Sequence, residues 1–396
     1  MLDKVKKQGW RQVKFGDVVR QVKERVEPET SGLERYVAGD HMDTDDLRIR
    51  RWGEIGSGYL GPAFHMRFRP GQVLYGSRRT YLRKVAVADF DGICANTTFV
   101  IEPKNAEELL PEFLPFLMQT DAFNDFSVKN SKGSVNPYIN FSDLARFEFA
   151  LPPREEQRNV IAAMKAFDEH FESCLAVEAH GSALLKSLLN RMWSSFPKKR
   201  IGELVELGLI APPQDGNHGE KHPKASDYVP EGIPFVMASD LRGGEVDFER
   251  CSKIPEALAR TLRIGFAKPG DVLLSHKGTV GEVARLMNLT TDFVMLTPQV
   301  TYYRVIDRAR LASDWLYFAF QSPGFKQLLD QYGRQSTRAY IGIKAQRELS
   351  VPIAPPQEQE QVLFELGATE KAVFDAMRRA RSLTVVRKQL LAEALK

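Results

Sequence analysis

Three cysteines in 396 residues, Cys94, Cys174 and Cys251, leave little room for thiol chemistry. They are odd in number, far apart and outside CxxC spacing, which argues against a disulfide framework or a zinc site and predicts small buried or half-buried thiols. The seven histidines form no HExxH or HxH pattern with acids, so no metal is implied. No apolar run approaches the roughly 18–20 residues of a membrane span. The start, MLDKVKKQGW, is basic without an apolar stretch behind it, so no secretory signal is expected and a cytoplasmic location is. Gly270-Asp271 through His276-Lys277-Gly278-Thr279 lacks the GxxxxGK(S/T) spacing of a phosphate loop, and no nuclease carboxylate pair with a following lysine stands out. Charge is not one-sided either: 55 Lys and Arg against 51 Asp and Glu leave +4, too little for bulk charge to mark a nucleic-acid protein.

What the chain has is a repeat. Leu114, Phe116, Gln119, Phe123, Ser134, Tyr138, Ile139, Pro153, Glu156, Gln157 and Val160 recur 202 positions later as Leu316, Phe318, Gln321, Phe325, Ser336, Tyr340, Ile341, Pro355, Glu358, Gln359 and Val362. Residues 114–193 map onto 316–395 without a gap. A repeat this long means two large domains rather than a solenoid, and the length allows each its own core.

Each half divides into a strand-rich part and a long helix. RPGQVLYGSRRT and RKVAVADFDGICANTTFVIEP are short β-branched runs punctuated by Gly, Pro and Asp. KPGDVLLSHKGTVGEVARL and FVMLTPQVTYYRVI repeat them, offset by 199 at Pro-Gly and by 202 at the next strand, so an indel lies in the loop between. EELLPEFLPFLMQTDAFNDF and SDWLYFAFQSPGFKQLLD follow as short amphipathic helices whose aromatic faces point to the core. Then come KNSKGSVNPYIN and YGRQSTRAYIGI, in which Tyr-Ile is held while polar residues change: a positioned contact loop.

Prolines and acids open the longest elements, as suits a helix N-terminus. Ile161, Met164, Phe171, Leu175, Leu185, Leu189 and Met192 fit one heptad seam, and Leu363, Leu366, Val373, Met377 and Leu391 keep the same register. Asp168, Glu178, Ser182, Glu370, Thr384 and Arg387 interrupt it. The simplest account pairs the two helices with each other, antiparallel; about 40 residues give a rod about 60 Å long. The expected fold class is α+β: two similar strand-rich domains joined by two long helices pairing as an antiparallel coiled coil, in a pseudo-two-fold, cyclic arrangement. Neighbouring termini and tolerance of circular permutation are expected from it.

Arg48, Arg50, Arg51, Arg67, Arg69, Arg78, Arg79, Arg83 and Lys84 fall in one stretch of the first half. FRPGQVLYGSRRTYLRKVAVADFDGIC followed by PPREEQ opening a long helix, then PGDVLLSHKGTVGEVA and PPQEQEQ in the same places, resembles the specificity subunit of type I restriction-modification systems over essentially the whole chain. The resemblance implies target recognition domains at 1–152 and 196–354, and spacer helices (conserved regions) at 153–195 and 355–396. It implies that each domain reads one half of a split, asymmetric site in double-stranded DNA while the helices fix the unread spacing. It further implies two modification (methyltransferase) subunits methylating adenine with S-adenosylmethionine, and restriction/translocase subunits using ATP and Mg. This chain would carry no cofactor and no catalysis of its own.

The residues agree with the last point: Asn136-Pro137-Tyr138 lacks the second proline of an (Asp/Asn)-Pro-Pro-aromatic loop, and Pro152-Pro153-Arg154 and Pro355-Pro356-Gln357 lack the aromatic. Arg48, Arg50, Arg51, Arg78, Arg79, Arg83 and Lys84 are candidates for phosphate anchoring or for reading guanine O6 and N7, with Tyr81 stacking or packing behind them. Arg242, Ser275, His276, Lys277 and Thr279 are the second half's candidates. The late loops add Lys132, Ser134 and Asn136 in one domain and Arg334, Gln335, Thr337 and Arg338 in the other. A recognition region of a fused restriction-methylation enzyme and a non-DNA scaffold or adaptor on a coiled coil are the alternatives; the first lacks its catalytic region and the second leaves the arginines unexplained.

Overall fold

The computed structural model describes residues 9–216, 222–333 and 340–395. The chain divides into two compact units, Met1–Cys174 with Arg378–Lys396, and Leu175–Met377.

In the first unit, one four-stranded antiparallel sheet runs in the order Val19–Val22, Thr98–Pro103, Val73–Gly76, Val85–Val87. A second has the order Gly53–Glu54, Arg35–Val37, Gly92–Ala95, Phe64–Phe68, its only parallel pair joining Arg35–Val37 to Gly92–Ala95. Successive side chains of a strand point to opposite faces, and both faces of the first sheet are covered. Val73, Tyr75, Val85 and Ile101 therefore join one apolar cluster while Leu74, Ala86 and Val100 join another. This is why GQVLYG reads as a nearly unbroken apolar run rather than an alternating one.

The second unit repeats the topology. Its sheets run Gln214–Asp215, Val300–Tyr303, Val272–Ser275, Val283–Arg285 and Ser252–Ile254, Ile233–Val236, Val294–Leu296, Phe266–Ala267, again with one parallel pair, Ile233–Val236 with Val294–Leu296. Val272 and Leu274 face one cluster and Leu273 the other. In each unit a short antiparallel pair closes the domain: Arg11–Lys14 with Glu148–Leu151, and Lys198–Arg200 with Ser350–Pro352.

The aromatic segments each form two helices, Leu114–Met118 and Asp121–Lys129, Ser313–Gln321 and Pro323–Gly333. The break falls at a hydroxyl: Thr120 Oγ1 accepts the Phe123 N–H at 3.2 Å, and Ser322 Oγ accepts that of Phe325 at 3.3 Å. Such a side chain competes with the helix for its own backbone and starts a new one.

The long helices are Arg154–Ser195 and Pro356–Ala394. Within the first unit Leu391 packs with Ile161 and Met164, and Arg387 Nε donates to Asp168 Oδ1 at 3.0 Å. Within the second, Leu366 packs with Leu188, Leu189 and Met192, and Arg191 pairs with Glu365. Numbering rises on one helix as it falls on the other, so the pairing in each unit is antiparallel. Two interruptions of the seam, Asp168 and Arg387, answer each other; a third, Glu370, takes Arg285 and accepts from Tyr317 Oη at 2.5 Å. Phe171, Leu175, Leu185, Leu363 and Val373 are half-buried.

One seam position differs from expectation. Met377 is 40% exposed, and the buried place goes to Ala376 beside it. The helices approach closely here: a Cβ on Gly181 would lie 2.6 Å from Val373 Cγ2. Small residues fit that separation and the longer methionine turns out. All three cysteines are free and buried, and burial pushes the Cys94 thiol up to about 12. No helix among the described residues is long and apolar enough to cross a membrane.

Candidate nucleic-acid interface

Two segments that the sequence proposes separately, the turn after the Val73–Gly76 strand and the late loop before the long helix, meet in the first unit. Ile139 N–H donates to Ser77 O at 3.0 Å, Arg79 N–H to Pro137 O at 2.6 Å, and Thr80 Oγ1 lies 2.9 Å from Ser131 Oγ. Arg78 and Lys132 both bridge to Tyr138. The result is a strapped turn that presents Arg78, Arg79, Tyr81, Lys132, Ser134 and Asn136 to solvent together. Tyr81 and Tyr138 are 52% and 42% exposed, aromatic faces beside cations. Such a surface offers ion pairing to phosphates and stacking or hydrogen bonding to bases.

The turn is strained at both ends. Arg79 and Arg83 flank the 3-10 turn Thr80–Leu82 with φ of 49° and 50°, in the left-handed region. For a residue with a Cβ this costs roughly 1–2 kcal/mol. Arg83 recovers some of it: its Nε donates to Asp45 Oδ1 at 2.6 Å, Nη1 to Asp121 at 2.8 Å and Nη2 to Gln119 O at 2.5 Å. Asp45 also holds Lys388 of the second long helix at 2.9 Å. Burial opposes ionisation of Asp45, but Arg83 and Lys388 outweigh it and hold the carboxyl below its ordinary range.

The remaining arginines of the stretch are engaged within the unit. Arg50 binds Asp46 and Glu172, Arg48 lies 3.6 Å from Glu172, Arg51 pairs with Asp43, and Lys84 donates to Gly39 O. Arg67 and Arg69 share Glu24, and Arg67 also pairs with Asp91. Arg50 holds the Glu172 carboxyl below its usual range. Of these, Asp43, Asp46, Arg48, Arg50 and Glu172 line a cavity of about 250 Å³ with Phe167, Phe171 and Thr384. The acids that take them up were not singled out from the sequence; the signal was the acid run Asp43, Asp45, Asp46 just ahead of Arg48. Lys132 pairs with Asp143 at 2.9 Å and keeps its carboxyl low. Among the described residues, none pairs with the guanidinium of Arg78 or of Arg79.

The second unit makes the same stitch: Lys277 bridges to Tyr340, and Ile341 N–H donates to His276 O at 3.0 Å. Lys277 and Thr279 are exposed. Ser275 and His276 are not, at 0% and 1% exposure, so their expected place on the contact surface is corrected. Ser275 Oγ accepts Glu282 N–H at 2.9 Å and His276 Nδ1 lies 2.8 Å from Thr301 Oγ1, which makes them internal braces of the turn. Arg242 is exposed on the Leu241–Arg242 hairpin and donates to Ser239 O at 3.1 Å. Arg334, Gln335, Thr337 and Arg338 lie outside the described residues. Among the described residues no cluster of His, Cys, Asp and Glu is placed to hold a metal ion.

A family model described as the type I restriction modification DNA specificity domain matches residues 57–175. The EcoDI type I restriction enzyme specificity subunit of Escherichia coli is 29% identical over 164 residues, 40% of this chain and 35% of that protein. The MjaVIII specificity subunit of Methanocaldococcus jannaschii is 20% identical over 319 residues, 76% of this chain and 72% of that one. The match thus spans about a third of the EcoDI subunit's length and about seven tenths of the MjaVIII subunit's. In fold, the chain is similar to the crystal structure of a type I restriction-modification S subunit from M. genitalium, with a TM-score of 0.65, 14% identity, and coverage of 98% of this chain and 96% of that one. A chain from a structural study of assembly and conformational transition of the type I system gives a TM-score of 0.58 at 22% identity, covering 98% of both.

Proposed function

Because the chain belongs to the specificity subunits of type I restriction-modification systems, we propose that each strand-rich domain reads one half of a bipartite, asymmetric site in double-stranded DNA. The observation that carries this reading is the strapped turn made twice by the same backbone contacts, Arg78 to Tyr138 and Lys277 to Tyr340, with different side chains around it. A shared frame with divergent polar residues is what two readers of unlike half-sites need.

In this reading the chain is non-catalytic. Two modification subunits dock on it and methylate adenine with S-adenosylmethionine, and restriction/translocase subunits supply ATP- and Mg-dependent cleavage. The complex works in the cytoplasm, and the paired helices set the number of unread bases.

Exchange of residues 1–152 for those of a relative with an acid and an amide in the places of Asp45 and Gln119, which Lys388 and Arg387 contact, followed by methylome sequencing with the cognate modification subunit, tests it. One half of the methylated motif should change and the other stay; a shift of both halves, or no motif dependent on this chain, would sink the reading. Inserting one or two helical turns within 153–193 should lengthen the unread spacer alone.

A further inference from the structure

Arg78 and Arg79 are neighbours on one turn, yet the second unit treats the two positions differently. Lys277 stands where Arg78 does: each bridges to the held tyrosine, and each follows a residue, Ser77 or His276, whose carbonyl accepts the N–H of the residue after that tyrosine, Ile139 or Ile341, at 3.0 Å. A cation at the same place in both units suits what both half-sites have in common, a phosphate backbone without sequence information.

The next position changes in kind. It is Arg79 in the first unit and Gly278 in the second, and both are left-handed, with φ of 49° and 80°. Glycine is what that backbone favours; arginine is kept there against preference. The turn around it is fixed on several sides: Arg79 N–H donates to Pro137 O, Arg79 O accepts Leu82 N–H at 2.8 Å, Thr80 is tied to Ser131, and Arg83 is clamped by Asp45. A side chain held in an unfavourable conformation by over-determined surroundings points to a role at that position. A phosphate contact needs only charge, which neighbouring cations supply. A planar fork that must meet two acceptors at once needs a fixed origin.

We propose that Arg79 is a specificity-determining residue that reads a guanine in the first domain's half-site through paired hydrogen bonds to O6 and N7. Gly278 leaves the second domain without that fork. The inference rests on the DNA-recognition reading above.

The test is Arg79→Gly in the whole complex, co-expressed with its modification subunits in a methylation-free host whose genomic DNA is then mapped for methylated adenines. The substitution relieves the backbone, so Tm should stay level or rise and any lost specificity is not lost folding. The wild-type half-site assigned to the first domain by domain exchange should contain a guanine. In the variant that position should become degenerate, with discrimination falling about tenfold to a hundredfold, and the other half should not change. Arg79→Lys, which keeps charge without the fork, should show the same degeneracy. An unchanged motif, a uniform loss of methylation without a change of motif, or a first half-site lacking guanine would overturn the proposal. A wild-type complex with no methylated motif dependent on this chain would instead remove the recognition reading, and the proposal with it.

Discussion

Gln157 and Gln359 make the same three hydrogen bonds. Gln157 Nε2 donates to Glu108 O and Pro152 O, and its Oε1 accepts Leu110 N–H, all at 2.9 Å. Gln359 does the same to Arg310 O at 2.9 Å, Ala354 O at 2.8 Å and Ala312 N–H at 2.9 Å. The two side chains are 0% and 3% exposed, so each pins the first turn of a long helix to its own domain without competition from water.

Gln157→Ala and Gln359→Ala should each leave buried backbone groups unpaired and destabilise the chain by about 1–3 kcal/mol. Chemical denaturation of the purified chain measures it. A loss within ~0.3 kcal/mol would show that the amide is dispensable.

Asp168 and Arg387 are polar residues at seam positions, and Arg387 Nη2 continues to Gln119 Oε1 at 2.8 Å. Removing one partner should cost more than removing both. Asp168→Leu or Arg387→Leu alone should destabilise by about 1–3 kcal/mol, and the double variant by clearly less than the sum. Strict additivity in a double-mutant cycle would mean the pair does not act as one.

Gly181→Ala should destabilise although alanine is the better helix former by about 1 kcal/mol, because the added Cβ would meet Val373 at 2.6 Å. Val373→Ala in the same chain should restore most of the loss, read as the unfolding midpoint.

Acid should weaken the charged network around Asp45 and Glu172. Both carboxyls are held below their ordinary values of 3.8 and 4.5, so their stabilisation is present above those values and is lost as the pH falls through the lower folded-state values. Glu172→Gln should therefore lower Tm at pH 7, by an amount equivalent to at most about 1 kcal/mol for so exposed a pair. The difference from wild type should narrow as the pH falls below 4.5 and close once it has passed through the lower folded-state value. A gap that stays constant with pH would remove the ion pair as its cause.

Arg78→Ala and Lys277→Ala in the assembled complex should weaken binding to specific and unrelated duplexes alike, and each should reduce the slope of log affinity against log salt by about 1. Loss confined to the specific duplex would assign them to base reading instead.

The doubled fold was legible because its markers recur at one fixed offset: Gln157 returns as Gln359 and Phe123 as Phe325, 202 positions on. The strand-rich segments and the two long helices followed from the same patterns; the order of the strands in their sheets did not. The fate of the arginines was not legible, because their anions are remote: Arg50 meets Glu172 across 122 positions and Arg83 meets Asp121 across 38. Charge density alone does not distinguish a cation offered to solvent from one already matched. Nor does the one-letter pattern reveal that Ser275 and His276 turn inward while Arg79 adopts a backbone suited to glycine. Those outcomes depend on how the turn is strapped to a loop some 60 residues away, which only the folded chain specifies.

The contacts of Asp45 with Lys388, and of Gln119 with Arg387, bear on inheritance. A crossover near residue 152 would deliver a new first domain to an old second helix, and the foreign domain would have to offer an acid and an amide where Lys388 and Arg387 await them. Donors meeting that condition are interchangeable; others should yield unstable hybrids until residues 378–396 travel with them. The breakpoint that preserves the first unit is therefore double, and two distant stretches of the gene descend as one.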